Sequence, residues 1–190
     1  MGEPASRREW TGRRGPENSL YNNGRVTDEC VDCGFVYDLS QSAPVERSIQ
    51  ERVAEVVAIL HARDVNVRSR RQPDVWSPLE YGCHLRDMLL VQRERVLAGR
   101  RMDRPDCPPS GREERVVHDG YAEQEPRDVA RQLADAAQMF SNVLARLGAG
   151  DWDRTVVYHY PETRERSLRW VAIHTMHEAQ HHLLDIRRQI

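Results

Sequence analysis

Apolar residues recur at helical spacing in four separate stretches of this 190-residue chain, a pattern that calls for a packed set of amphipathic helices. The first covers residues 45–63, with Ile49, Val53, Val56, Val57 and Leu60 on one face. The second opens at Ser77-Pro78-Leu79-Glu80, which reads as an N-cap, a proline in the first turn and a capping-box glutamate. It continues through Tyr81, Leu85, Met88 and Val91 to about residue 99. The third starts near Glu125-Pro126, runs through Val129, Leu133, Ala137, Phe140 and Leu144, and has Gly148 as its stop. The fourth spans about residues 167–190. The fold expected is all-α: a four-helix bundle over residues 45–190, preceded by a short cysteine-containing extension over 1–44. Residues 1–28, rich in Arg, Gly, Asn and Pro without apolar periodicity, read as a mobile arm. Residues 102–124 form a long polar connection, and 156–160 an extended pair.

Charge narrows the function classes. The 28 basic residues, all arginine, face 30 acidic ones, so the net charge of −2 argues against a nucleic-acid-binding surface. No apolar run approaches the roughly 20 residues of a membrane span, and the first ten residues lack the apolar stretch of a secretory signal. A cytoplasmic protein acting on a small molecule is the expectation. Four scattered cysteines are too few for a disulfide framework in a chain of this length. A homodimer through a helix face is compatible with a bundle.

Four of the eight histidines crowd between positions 174 and 182 of the last helix. At about 100° per residue, Ala172, Met176, Ala179, Leu183, Ile186 and Ile190 form one stripe facing the core. Glu178 and His182, four apart, flank that stripe at roughly 80–120° from its centre. His177 and His181 lie roughly 140–180° away, toward solvent. The string His177-Glu178-Ala179-Gln180-His181 matches the H-E-x-x-H zinc-protease signature, but Leu184 and Arg187 stand where the extended form needs Gly and His. A better third ligand is His84, on the apolar side of the second helix. Two imidazoles and a carboxylate suit zinc, nickel or iron, and three protein ligands leave coordination positions open for catalysis.

Two passages, WSPLEYGCHLRDMLLVQRERV and MHEAQHHLLDI, carry a resemblance to the DinB/YfiT-like metalloenzyme superfamily, over about residues 45–190. That superfamily includes thiol S-transferases and the N-terminal domains of mycothiol-dependent maleylpyruvate isomerases. The resemblance implies an up-down-down-up bundle, one metal ligand from the second helix and two, four apart, from the last. It places the metal on His84, Glu178 and His182, with His177 and His181 as the alternative pair. It departs from the usual ending of the family at Leu184 and Asp185. It further implies a divalent metal, zinc foremost, that activates a low-molecular-weight thiol such as mycothiol for transfer or addition to an electrophile. A metal-binding protein without thiol chemistry, or with another metal-dependent reaction, is the alternative.

In the long connection, His118 and Tyr121 are the candidate general acid or base. Arg86, Arg112, Arg115 and Arg169 are candidates for holding substrate carboxylates. Cys30-Val31-Asp32-Cys33-Gly34 has the turn of a zinc knuckle, which lacks a second C-x-x-C; Cys83 and Cys107 are the remaining thiols. Without a metal, this segment reads as a packed N-terminal flap. Trp76, Trp152 and Trp170 read as packing residues.

Overall fold

The computed structural model describes residues 21–22, 25–26, 29–40, 45–160 and 162–190; the arm expected over 1–28 lies almost wholly outside them. Two short strands, Tyr21–Asn22 (β1) and Arg25–Val26 (β2), pair antiparallel. The long helices are Val45–His61 (α1), Pro78–Arg101 (α2), Pro126–Leu144 (α4) and Leu168–Arg187 (α5). Each of α1 and α2 packs against both α4 and α5, which encloses one apolar core. Among the described residues no helix is long and apolar enough to cross a membrane.

The start of α2 follows from its sequence. Ser77 Oγ accepts from the Glu80 amide, and the Glu80 carboxylate accepts from the Ser77 amide at 2.8 Å. Trp76 packs against Tyr81 at 5.5 Å between ring centroids, closing the first turn with an apolar contact. Arg70 reaches over from the preceding loop to bond both oxygens of buried Glu80. Burial works against the charge of Glu80, but Arg70 and the Ser77 amide outweigh it and hold the carboxyl below its usual range.

Three boundaries differ from the sequence reading. Helix α2 continues past Gly99 because this glycine is a packing site: a Cβ there would stand 2.7 Å from Leu168 and 3.0 Å from Val156. Helix α4 ends at Leu144, its last buried residue, short of Gly148. Helix α5 ends at Arg187, leaving Ile190 beyond it and 44% exposed.

The connection over 102–124 is structured rather than open. It holds strand Asp106–Cys107 (β3), helix Arg112–His118 (α3) and a 3₁₀ turn at Tyr121–Glu123. The expected extended pair is a hairpin of Thr155–His159 (β4) and Thr163–Ser167 (β5), registered Thr155 to Ser167. Strand β3 pairs with β4 in parallel, Cys107 beside Tyr158, and both side chains are buried. The bundle therefore carries a three-stranded sheet, ordered β3-β4-β5, at one side.

Candidate metal centre

Because α2 and α5 pack face to face, residues far apart in sequence meet in the core. His84 from α2 and Glu178 and His182 from α5 are brought together, their donor atoms all within 4.8 Å of one another. Glu178 Oε2 lies 3.5 Å from His182 Nε2 and 3.9 Å from His84 Nε2. Both of those nitrogens are buried without a hydrogen-bond partner. Orphaned polar atoms of this kind are costly in a core, and two of them beside one carboxylate match the demand of a cation.

The electrostatics hold His84 and Glu178 in ligand form. Burial opposes a charge on His182, but Asp185 and Glu178 outweigh it and raise its pKa, so a cation there would displace a proton. Burial, only partly offset by Glu178, pushes His84 down to about 4, so its imidazole is neutral at pH 7. Burial would raise Glu178, but the surrounding His177, His182 and His84 hold it well below the usual carboxylate range. Asp185 Oδ2 lies 3.1 Å from His182 Nδ1, so a proton on Nδ1 leaves the Nε2 lone pair aimed at the cluster. Trp76 and Tyr81 lie against His84 and His182 at 5.2 and 5.3 Å and exclude water from that side.

A cavity of about 350 Å³ opens beside the cluster, lined by His84, Glu178, His174, Tyr158, Arg95 and Arg112 among others. Met88 and Arg95 follow His84 along the same side of α2. The Arg95 guanidinium is buried, donates to Tyr158 Oη at 2.7 Å and to the Pro108 carbonyl at 2.6 Å, and lies 4.5 Å from the Tyr158 ring centre. Among the described residues no carboxylate pairs with it. Burial pushes the Tyr158 hydroxyl up to about 12, so it stays protonated.

Other expected residues fall elsewhere. His118 is exposed at the end of α3, and Tyr121 is buried with its hydroxyl donating to Asp87 Oδ2 at 2.6 Å. Burial and Asp87 raise the Tyr121 pKa, and neither His118 nor Tyr121 lines the cavity. Of the four candidate arginines only Arg112 reaches it; Arg86 bonds Asp87, Gln124 and Gln132, Arg115 bonds the Ser110 carbonyl, and Arg169 lies over Trp152. Arg95, Tyr158 and His174 were not singled out from the sequence. Arg95 is one of 28 arginines, and no local pattern separates it from the rest.

The largest correction concerns His177 and His181, expected toward solvent. They are 4% and 7% exposed, because the segment carrying Cys30, Phe35 and Tyr37 packs over that face of α5. Phe35 and Tyr37 each lie 5.3 Å from the His177 ring, and Tyr37 Oη is 2.9 Å from His174 Nδ1. The two histidines of the H-E-x-x-H string thus meet Cys30 and Cys33. Burial opposes a charge on His177, but Cys33, Glu178 and Cys30 outweigh it and raise its pKa to about 10. Cys83 and Cys107 are buried elsewhere, in α2 and β3, and none of the four cysteines forms a disulfide.

The sequence profile of the DinB superfamily matches residues 47–186. No curated protein sequence matches the chain. Among solved structures, YfiT from Bacillus subtilis, described as a probable metal-dependent hydrolase with an unusual four-helix bundle topology, superposes with a TM-score of 0.67. The match is 15% identical in sequence and covers 76% of this chain and 83% of that one, a likeness of fold.

Proposed function

The chain belongs to the DinB superfamily, and on that premise we propose that it is a metal-dependent enzyme with a divalent cation on His84, Glu178 and His182. Its proposed reaction is the transfer or addition of a low-molecular-weight thiol to a small electrophile carrying an anionic group. The observation that carries the metal site is the pair of orphaned, buried Nε2 atoms of His84 and His182, both aimed at the Glu178 carboxylate beside the cavity. Zinc suits this donor set first, and nickel and iron also match it. A cation bound there supplies a Lewis acid with open positions, which lowers the pKa of a coordinated thiol.

The chain's own residues do the rest. Asp185 orients His182, and Trp76 and Tyr81 keep water away from the imidazoles. Arg95, held in place by Tyr158 and the Pro108 carbonyl, presents a fixed positive charge to the cavity for a carboxylate or similar anion. Hydrolysis is the second reading, favoured by the description of YfiT and by two carboxylates in the cavity wall, Glu113 and Glu114.

The test is a panel of thiols and electrophiles, with matching esters and amides, assayed on the metal-loaded protein. Turnover that requires both metal and thiol is expected. Arg95→Met should raise KM for anionic electrophiles about tenfold, the loss of one charge-assisted contact, with kcat little changed. Cleavage of esters or amides without any thiol would replace thiol transfer by hydrolysis. Bound metal without any turnover would leave a non-catalytic metal binder.

A further inference from the structure

We propose that Cys30, Cys33, His177 and His181 form a second metal site, a closed Cys2His2 zinc centre that staples the N-terminal segment to α5. The four donor atoms lie within 4.8 Å of one another, with Cys30 Sγ 3.6 Å from His181 Nδ1. The spacing is what a tetrahedral zinc site uses. Cys-x2-Cys supplies two thiols from one turn, and His-x3-His supplies two imidazoles from one helix face.

The local backbone supports that arrangement. The Gly34 amide donates to the Cys30 carbonyl at 2.7 Å, and the Cys30 amide to the Phe35 carbonyl at 2.8 Å. This turn requires Gly34 at φ +67°, a conformation that a side chain would strain. It folds the two cysteines back toward α5, where Cys30 is fully buried. Neither ring nitrogen of His177 has a hydrogen-bond partner of proper geometry, although the thiols lie close to the ring. A buried imidazole without hydrogen bonds is expensive; coordination satisfies one ring nitrogen, and Glu178 Oε1 lies 3.5 Å from Nδ1.

Charge selects the ion. Two thiolates and two neutral imidazoles around a divalent cation sum to zero, which suits burial against Phe35 and Tyr37. Two sulfur donors and no oxygen donor favour zinc over calcium or magnesium. Binding releases the two thiol protons and the imidazolium proton of His177, and changes no oxidation state. With four protein ligands no coordination position stays open, so the role is structural: it closes a loop between residues 151 apart in sequence. The site shares no ligand with His84, Glu178 and His182, and stands whether or not that cluster is catalytic.

The test uses the full chain, reduced and loaded with cobalt(II) in place of zinc. Two equivalents are expected, with thiolate-to-cobalt charge-transfer absorption in the near ultraviolet. Cys30→Ser with Cys33→Ser should remove that absorption and one equivalent. His84→Ala with His182→Ala should remove the other equivalent and leave the absorption intact. In the wild type, zinc should slow alkylation of Cys30 and Cys33 at least about tenfold, mapped by mass spectrometry and reversed by a chelator. Loaded wild type without thiolate absorption, absorption that survives the double serine variant, or alkylation indifferent to zinc would each overturn the proposal. A single equivalent that keeps its thiolate absorption would instead sink the cavity reading and leave this site standing.

Discussion

Helix α5 carries two pairs of side chains four apart, offset by one residue, and the two pairs meet different chemistry. Glu178 and His182 turn toward His84 beside a cavity that also holds Arg95. His177 and His181 turn toward Cys30 and Cys33 under Phe35 and Tyr37, and none of those four ligand residues lines the cavity. One face offers three harder donors beside a cavity, and the other offers four donors, two of them sulfur. A rotation of about 100° along one helix therefore separates a three-donor set beside a cavity from a four-donor set under the N-terminal segment.

The comparison breaks first at His84. His84→Ala should weaken metal binding at the cavity by more than about 100-fold, since even the loss of a supporting partner costs about 10–100-fold. Isothermal titration with zinc would read this, and a loss below tenfold would mean that His84 is a packing residue. On the other face, Phe35→Ala in the metal-free protein should destabilise the covering segment by about 3 kcal/mol, the usual cost of truncating a buried phenylalanine. Hydrogen exchange at residues 29–38 should then accelerate on the order of 100-fold, while exchange in α2 stays unchanged. Asp185→Asn tests what the two faces share, because Asp185 Oδ2 lies 3.1 Å from His182 Nδ1 and 3.4 Å from His181 Nε2. Zinc affinity at the cavity should fall about 10–100-fold, and zinc protection of Cys30 and Cys33 should weaken in the same variant.

The smallest effect lies away from both faces. Glu80→Gln should cost about 1–2 kcal/mol at neutral pH, discounted because Arg70 is partly solvated. The folded-state pKa of Glu80 lies below its unfolded value, so this contribution is full above the unfolded carboxylate pKa and fades as pH falls through the folded one. Thermal melts of metal-free wild type and variant should differ at pH 7 and converge in acid. A gap independent of pH would show that packing, not the ion pair, carries the effect.

Much of the bundle was legible because helices announce themselves locally. Ser77, Pro78 and Glu80 marked the start of α2, and the stripe from Ala172 to Ile186 marked the buried side of α5. The same spacing that drew that stripe placed Glu178 and His182 at its edge, where His84 meets them. Arg95 and Tyr158 were not legible, since each acquires its meaning only when β4 lies against α2.

The residue chemistry and the angular order along each helix are properties of the sequence alone, because about 100° per residue holds wherever a helix forms. What lies opposite each face is not. His177 and His181 looked solvent-facing because the stripe arithmetic takes the side opposite the core to be water, and a segment 151 residues from His181 covers that side instead. Burial is a sum over every element that packs nearby. No window of sequence around α5 contains Cys30, Phe35 or Tyr37, so only the tertiary structure decided which donors meet there.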